Sequence, residues 1–279
     1  MAKILDGKKL SDELAIKLAR KVKSLKSRPK LVIVQIGNLA ESNTYIKNKK
    51  AYALKIDAIA LHKKYLNNIK ESRVISDIRR FNRDSSIHGI MVQLPAPKKF
   101  DIERVLESIR PQKDVDGLTS VNTKHLFDNH EAFVPATAKG VITLLEKNKI
   151  DIEGAKIVIV GASSLVGRPT MLALLNKGAT VTMCHKATKH LEQEAKRAEI
   201  LITAVGQPKL ITTKHVTRGQ VVIDVGFNVL KKRMVGDVDF DKVRKIVRTI
   251  TPVPGGVGPM TVASLFENLI EAYLLQTKK

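Results

Sequence analysis

The sequence of 279 residues, 43% hydrophobic and 27% charged, is long enough for two globular domains of ordinary size. The single cysteine, Cys184, excludes an intrachain disulfide, and the lack of an apolar run of about 20 residues or of an apolar signal-peptide core after Met1 predicts a soluble cytoplasmic protein without a membrane partner. A net charge of +22 would suit a nucleic-acid partner, but the scattered lysines and arginines, the 4% aromatic content and the absence of tryptophan argue against a specific nucleic-acid site.

Seven apolar, β-branched runs predict strands, and most of them are separated by stretches long enough for a helix. Nearly continuous apolar strands that alternate with helices indicate parallel sheets covered on both faces and joined by right-handed crossovers. The sequence therefore predicts an α/β protein. The predicted strands are 31–37, 58–62, 87–94, 157–161, 179–183, 200–206 and 221–226.

The strands form two blocks, so we predict two parallel-sheet domains with a cleft between them. Residues 1–118 are expected to form the first domain, and residues 119–259 the second, Rossmann-like domain, which a helix at 137–148 introduces. A rigid loop rich in proline and glycine spans 252–259. The last segment, 260–279, carries an amphipathic helix that is expected to pack back on the first domain.

The first candidate site lies on the helix that follows the first predicted strand. Ser42 is a good N-cap residue, which would place Tyr45 and Lys49 one turn apart on the same helix face. A phenol beside an ammonium group can position a water or move a proton. The same spacing is also common on solvated helix faces. Short-chain dehydrogenases use it after their dinucleotide fold, whereas here it precedes the predicted fold.

Further candidate site residues are polar. They lie at the end of the third predicted strand and in the turn that follows it. Gln93 stands at the carboxyl end of its strand, where a side chain can reach a ligand or bond a neighbouring loop. Asp114 and Asp116 lie in the turn 113–117. Aspartates in turns usually cap backbone groups, so a structural role is open for each of them.

A glycine-containing turn follows the fourth predicted strand. Residues 156–169 are predicted to form a strand, a turn at Gly161 and the start of a helix. The backbone N–H groups at the start of such a helix can bind a phosphate. Ser163 and Val166 stand where the G-x-G-x-x-G pattern has its second and third glycines, so a plain turn is the alternative. Lys186 follows the next strand, where a cation favours the extra phosphate of NADP and an acid would favour NAD. A lysine in solvent is the alternative there.

Taken together and in this order, these segments resemble the bifunctional methylenetetrahydrofolate dehydrogenase/cyclohydrolase family of one-carbon metabolism, over essentially the whole chain. The resemblance implies an enzyme that oxidises 5,10-methylenetetrahydrofolate to 5,10-methenyltetrahydrofolate with NADP (NAD being the alternative) and then hydrolyses the product to 10-formyltetrahydrofolate. It also implies a homodimer, a polyglutamylated folate in the cleft between the domains, and no metal ion. The most specific segments are Ser-x-x-Tyr-x-x-x-Lys, Gly-Ile-x-Val-Gln-Leu-Pro-x-Pro, Lys-Asp-Val-Asp-Gly and Pro-Gly-Gly-Val-Gly-Pro-Met-Thr.

The resemblance also implies residue roles. Lys49 would be the catalytic cation, tuned by Gln93. Tyr45 would stack on the folate, and Asp116 would bind the pterin edge. The implied substrate contacts are Tyr45, Val92, Leu94, Asp116, Pro254, Gly255, Gly256, Val257 and Gly258. The implied cofactor contacts are Gly161, Ala162, Ser163, Lys186, Phe227 and Thr137.

The chain departs from the family pattern in two places on the dinucleotide side. The usual Pro-Cys-Thr-Pro-Lys-Gly reads Pro-Ala-Thr-Ala-Lys-Gly at 135–140, which places alanines at Ala136 and Ala138. Ala162 stands where the glycine turn usually carries an arginine. These departures bear on cofactor preference and dehydrogenase rate more than on the fold or the substrate.

Two other functions compete with this interpretation. A shikimate-dehydrogenase-like enzyme would also have two domains and a nicotinamide cofactor. It has no reason to contain the Gln93 strand or the Gly-Gly-Val-Gly-Pro-Met-Thr segment that ends at Thr261. A non-enzymatic basic nucleic-acid-binding protein would bind with a steep salt dependence.

Overall fold

The computed structural model describes residues 1–230 and 233–277. The chain divides into two compact units, each of which carries a parallel sheet, as predicted for an α/β fold. The six-stranded unit consists of Met1–Ser11 and Thr137–Thr261, and the three-stranded unit consists of Asp12–Ala136 and Val262–Lys279.

The seven predicted strands and the predicted helix 137–148 are all present, with ends that differ from the predicted ones by at most three residues. No helix within the described ranges is long and apolar enough to cross a membrane. The strands are β1 (Lys3–Ile4), β2 (Lys30–Ile36), β3 (Ile59–Tyr65), β4 (Gly89–Gln93), β5 (Lys156–Val160), β6 (Thr180–Cys184), β7 (Ile200–Thr203), β8 (Val221–Asp224), β9 (Asn228–Leu230), β10 (Arg233–Val235) and β11 (Thr249–Ile250). The helices are α1 (Gly7–Lys23), α2 (Ala40–Lys55), α3 (Glu71–Arg83), α4 (Ile102–Leu106), α5 (Ser120–Phe127), α6 (Ala136–Lys147), α7 (Gly167–Leu175), α8 (Leu191–Lys196), α9 (Phe240–Val243) and α10 (Val257–Thr277), with 3-10 turns at Pro111–Lys113 and Thr213–His215.

In the three-stranded unit, β2 lies between β3 and β4, and both pairings are parallel. The residues of β2 from Leu31 to Ile36 are all buried, which explains why all of them except Gln35 are apolar. In register, Gln35 on β2 lies beside Gln93 on β4. Because the carboxyl ends of parallel strands meet at one edge, α2 leaves the sheet at the edge where Gln93 ends β4.

The C-terminal part of α10 belongs to the three-stranded unit. The Phe266 ring stacks on Tyr52 of α2 with 5.4 Å between ring centroids. Asn268 Nδ2 donates a hydrogen bond of 3.0 Å to the Val134 carbonyl oxygen. Such contacts group residues 119–136 with this unit, whereas the predicted boundary placed them in the second domain.

The six-stranded sheet has the order β1-β11-β8-β7-β5-β6, and all its pairings are parallel. β1 pairs with β11, with Lys3 beside Thr249, so the first residues group with this unit although the predicted boundary placed them in the first domain. β1 and β11 have two residues each, too few to produce a hydrophobic pattern. β9 and β10 form a separate antiparallel pair that the sequence analysis did not predict.

The prediction of a loop that continues to Pro259 was wrong. α10 begins at Val257, so the last three residues of the predicted loop form the first turn of this helix. Proline is tolerated there because the first N–H groups of a helix have no intrahelical acceptor. The proline and glycine content of 252–259 therefore did not mark the helix boundary.

Candidate active site

The candidate catalytic cluster centres on Lys49, a residue of α2 whose exposure is only 7%. Its Nζ donates a hydrogen bond of 2.8 Å to Oε1 of Gln93. The other end of this amide is engaged as well, because Gln93 Nε2 donates to the Leu94 carbonyl oxygen at 2.7 Å. The two hydrogen bonds fix the orientation of the amide, with its oxygen towards the lysine.

Burial changes the protonation of both charged groups in the cluster. It lowers the pKa of Lys49 to about 8, and the charge of Asp116 opposes this shift. It raises the pKa of Asp116 to about 6, where the charge of Lys49 opposes the shift and that of Asp114 adds to it. A lysine with such a pKa can release and regain its proton close to neutral pH, as a general base must.

The structure separates the two turn aspartates. The Asp114 carboxylate accepts hydrogen bonds from Gly117 N at 3.0 Å, Thr119 N at 2.8 Å and Asn122 Nδ2 at 2.9 Å. The structural role that was open for either aspartate therefore applies to Asp114. Asp116 sits on the turn that Asp114 holds, and its charge acts on Lys49.

Tyr45 lies on α2, one turn before Lys49, and is half-buried. Burial, together with the charge of Glu41, raises the pKa of Tyr45 to about 12. The phenol therefore stays protonated at neutral pH and can act as a hydrogen-bond donor or as an aromatic surface.

The prediction that Ser42 caps α2 was wrong. The helix begins at Ala40, and the residue before it, Leu39, makes no side-chain capping bond. Ser42 is thus inside the first turn and buried, and its Oγ has no hydrogen-bond partner among the described residues. It lies on the same buried face of the helix as Lys49.

A second amide, which was not predicted from the sequence, holds α2. Gln35, only 1% exposed, donates from Nε2 to Asn43 Oδ1 at 2.8 Å, and its Oε1 lies 2.8 Å from His62 Nε2. Because Gln35 lies beside Gln93, two glutamines from adjacent strands tether α2, one at Asn43 and one at Lys49. The available signal was a polar residue at the carboxyl end of an otherwise apolar strand.

The other predicted substrate contacts in this unit differ in their surroundings. The Val92 side chain lies in the hydrophobic core of the three-stranded unit and is 2% exposed. A ligand could therefore contact only the backbone of Val92. Leu94 is half-buried and packs against the same core. The side chain of Leu94 is thus the more accessible of the two.

The turn between β5 and α7 is tightly packed. Gly161 adopts a φ of +121°, which side chains rarely allow, and its N–H bonds the Cys184 carbonyl oxygen at 2.9 Å. A Cβ on Gly167 would overlap the Gly161 carbonyl oxygen. Glycine at both positions lets α7 start close against β5. The N-terminus of α7 therefore follows the carboxyl end of β5 directly, and a helix N-terminus can bind an anion.

The assignment of Val166 to the place of the third glycine was wrong. Gly167, one residue later, provides the close approach between helix and strand. Ser163, in place of the second glycine, serves the turn itself, because its Oγ accepts from Val166 N at 3.2 Å and from Gly167 N at 3.3 Å. The missing glycines therefore do not disrupt the turn.

The remaining predicted cofactor contacts all belong to the six-stranded unit. Lys186 is exposed in the segment after β6, Phe227 is half-buried after β8, and Ala162 follows the turn glycine directly. Thr137, in the first turn of α6, accepts a hydrogen bond of 3.5 Å from Thr261 Oγ1. The predicted substrate loop 254–258 is in this unit too, and Lys8 N donates to its Gly255 carbonyl oxygen at 2.9 Å.

The arrangement in the three-stranded unit can move protons and hold the polar edge of a bound molecule. It combines an amine of lowered pKa, a carboxylate, an oriented amide and a protonated phenol. Within 1–230 and 233–277, no three His, Cys, Asp or Glu side chains are grouped so as to hold a metal ion.

Two family models match the chain, and each describes one domain of the same enzyme family. Residues 5–116 match the catalytic domain of tetrahydrofolate dehydrogenase/cyclohydrolase, and this range contains Lys49, Gln93 and Asp116. Residues 135–277 match the NAD(P)-binding domain of the same enzymes, and this range contains the glycine turn.

Individual proteins resemble the chain over nearly its full length. The bifunctional protein FolD of Nautilia profundicola is 42% identical over 273 residues, which cover 96% of each chain. The crystal structure of FolD from Campylobacter jejuni has a TM-score of 0.95 at 41% identity and covers 98% of this chain and 99% of that chain. FolD from Trypanosoma brucei, in complex with NADP and an inhibitor, has a TM-score of 0.95 at 32% identity, with coverage of 100% and 99%.

A shikimate dehydrogenase from Aquifex aeolicus is far more distant. It has a TM-score of 0.51 at 14% identity and covers 91% of this chain and 94% of that chain. This likeness shows a related fold and nothing about the reaction.

Proposed function

The chain belongs to the tetrahydrofolate dehydrogenase/cyclohydrolase family, and from this premise we propose how its residues carry out the two reactions of a bifunctional enzyme. It oxidises 5,10-methylenetetrahydrofolate to 5,10-methenyltetrahydrofolate with NADP and hydrolyses that product to 10-formyltetrahydrofolate. The observation that carries the residue assignment is the buried hydrogen bond from Lys49 to Gln93, within the field of Asp116.

In the hydrolysis, water attacks the methenyl carbon, and Lys49 is proposed as the base that takes the proton from this water. An ordinary lysine, with a pKa of about 10.4, would hold its proton at neutral pH. The pKa of about 8 at Lys49 supports the proposal. The protonated amine can then return the proton to the ring nitrogen as the carbon–nitrogen bond breaks. The hydroxyl formed from the water loses its remaining proton to solvent and becomes the carbonyl of the formyl group on the other nitrogen, so the cationic substrate releases one proton overall. Gln93 supplies no charge but holds the amine in place.

Tyr45 and Asp116 are proposed to orient the folate. An ionised carboxylate accepts hydrogen bonds from the N–H groups of a pterin, and a phenol ring presents a flat surface to an aromatic ring. With a pKa of about 6, Asp116 is mostly ionised at neutral pH. Val92, Leu94 and the loop 254–258 are proposed as further folate contacts on family membership.

The dehydrogenase reaction needs NADP, which accepts a hydride from the methylene carbon when bound. Hydride transfer requires chiefly that two rings be held close together, so the protein contributes mainly positioning. The turn from Gly161 to Gly167 fits a dinucleotide phosphate, because a side chain at either glycine would overlap backbone atoms. The residues proposed to hold NADP are Gly161, Ala162, Ser163, Lys186, Phe227 and Thr137.

The function predicts two activities that can be measured on the purified protein. It should reduce NADP in the presence of methylenetetrahydrofolate, and it should hydrolyse methenyltetrahydrofolate without any dinucleotide. Absence of both activities from a preparation that unfolds cooperatively would refute the residue assignment.

We also propose a polyglutamylated substrate, because the net charge of +22 would attract a polyanionic tail. A triglutamate substrate should therefore have a lower KM than the monoglutamate. Equal KM values for the two substrates would refute the polyglutamate proposal.

We further propose a homodimer. The short strands β9 and β10 carry three exposed apolar side chains, Val229, Leu230 and Met234, on an antiparallel pair outside the main sheet. Exposed apolar side chains that lie together commonly mark a protein interface. Sedimentation should give twice the chain mass of 30.9 kDa, and Leu230→Glu should shift the protein towards the monomer. A wild-type monomer at micromolar concentration would contradict the proposal.

A further inference from the structure

Asp237, which follows β10, is fully buried at 0% exposure and joins three segments of the six-stranded unit. Its Oδ2 accepts hydrogen bonds from Thr203 Oγ1 at 3.2 Å, Val205 N at 2.6 Å and Gly206 N at 3.2 Å. Its Oδ1 accepts from Gln207 N at 2.9 Å and Asn228 Nδ2 at 3.0 Å. One carboxylate thus binds the end of β7, the loop after β7, and the first residue of β9.

A second buried carboxylate continues this network. Asp224, the last residue of β8, accepts from Gly226 N at 2.9 Å, Asp237 N at 3.0 Å and Val238 N at 2.9 Å. A side chain at Gly226 would overlap the Asp237 carboxylate, so the loop after β8 is packed directly against it. The loops after β7 and β8 therefore share one anchor.

The anchor depends on its neutral donors. Among the described residues no Lys, Arg or His side chain forms an ion pair with Asp224 or Asp237 within 4.0 Å. A buried carboxylate without a cation is stable only when hydrogen-bond donors replace its lost hydration. Loss of the Asp237 carboxylate would therefore leave the backbone N–H groups of 205–207 without their acceptor. The loops held by Asp237 would then lose their fixed position.

Both loops stand at the carboxyl ends of adjacent parallel strands. In open α/β sheets this edge is where ligands bind, and the loops after the strands make the contacts. Phe227, one of the residues proposed to contact NADP, lies in the loop that Asp237 and Asp224 hold.

We propose that Asp237 is a positioning residue for NADP: it touches no ligand itself but holds the loops 204–207 and 225–228 in the conformation that binds the dinucleotide. The proposal rests on the proposed function, because it takes these loops to be part of the NADP site. It assigns a role to a residue that no sequence pattern singled out.

The test is Asp237→Asn, which preserves shape but replaces one acceptor oxygen by an NH2 group. In either orientation the amide would point N–H at groups that themselves donate, so at least two hydrogen bonds are lost. The Kd for NADP, measured by titration calorimetry, and the KM for NADP should rise about tenfold or more. The cyclohydrolase rate without dinucleotide should not change, because Lys49, Gln93 and Asp116 lie in the other unit. Among the described residues, Asp237 also forms no hydrogen bond with the proposed folate loop 254–258.

The matched control is Asp239→Asn, which removes the same charge two positions later. The Asp239 carboxylate pairs with Lys242 at 3.1 Å and Lys209 at 3.9 Å, neither of which belongs to the loops 204–207 and 225–228. NADP affinity should therefore be unchanged in Asp239→Asn. If Asp237→Asn does not fold, Thr203→Val is the second test, because it removes only the hydroxyl donor to Asp237 and should still weaken NADP binding.

Three results would overturn the proposal. The first is unchanged NADP affinity in folded Asp237→Asn, or in Thr203→Val where that variant has to be used. The second is an equal loss of cyclohydrolase activity, which would indicate a general structural role. Wild-type protein without NADP binding and without either activity is the third, and it would overturn the proposed function as well.

Discussion

Replacement of Lys49 by methionine is expected to lower the rate of methenyltetrahydrofolate hydrolysis by about 10²–10⁴-fold, the usual contribution of a general base. Methionine has a similar length and is apolar, so it can occupy the buried site of the lysine side chain. It removes the strongest base of the cluster near neutral pH, because Gln93 does not titrate and the phenol of Tyr45 stays protonated. Asp116, with its pKa of about 6, is a weaker base and is proposed to hold the folate. The dissociation constant of NADP should be unchanged, since the proposed NADP residues belong to the other unit.

The matched control is Lys50→Met, which makes the same change at the exposed neighbouring position on α2. Hydrolysis is followed by the loss of methenyltetrahydrofolate absorbance, and thermal unfolding is recorded for each variant. A loss of less than about tenfold in Lys49→Met, or roughly 1.4 kcal/mol of barrier, would show that Lys49 is not the base. A parallel loss of NADP affinity would indicate misfolding.

The pH dependence of the wild type follows with a definite sign. Lys49 must be unprotonated to act as a base, so the hydrolysis rate should rise with pH and level off above about 8. Lys49→Met should lack this rise. Asp116 loses its charge as the pH falls below about 6, so the KM for the folate should increase there.

Helical spacing indicated Tyr45 together with Lys49, and the end of an apolar strand indicated Gln93, but only the family resemblance placed these residues in one site. The hydrogen bond from Lys49 to Gln93 agrees with that placement. The sequence patterns left a structural role open for both turn aspartates. The difference between Asp114 and Asp116 arises from backbone N–H groups that bond only Asp114 once the turn is folded. No local pattern carries that information.

Most of the long strands were predictable because they contain a buried apolar run, whereas the elements that set the unit boundaries were not. β1 and β11 pair across almost the whole sequence with two residues each. Likewise, the helix start at Gly167 depends on how close α7 can approach β5, which is a property of the packed structure.

The anchors Gln35 and Asp237 show the same limit. Their hydrogen-bond partners include His62 for the first and residues 203–207 for the second, all far away in the sequence. A buried polar residue is recognisable only when its donors and acceptors are known. Residues that position others are therefore harder to predict than residues that stand at strand ends in recognisable segments.

Replacement of Lys186 by serine is expected to reduce the preference for NADP over NAD by about ten- to a hundredfold, because one charge-assisted contact with phosphate is worth about 1–3 kcal/mol. The segment 185–190 after β6 contains Lys186 and Lys189 but no acid, so nothing there favours a free ribose hydroxyl. The exposed side chain of Lys186 is accessible to a 2′-phosphate, although Ala162 offers no second cation. The kcat/KM values for both dinucleotides are compared in wild type, Lys186→Ser and the control Lys196→Ser, an exposed position at the end of α8. Since NAD lacks the 2′-phosphate, the kcat/KM for NAD should be the same in Lys186→Ser as in the wild type. A wild type that prefers NAD, or a ratio unaltered in Lys186→Ser, would show that the discrimination lies elsewhere than in this lysine.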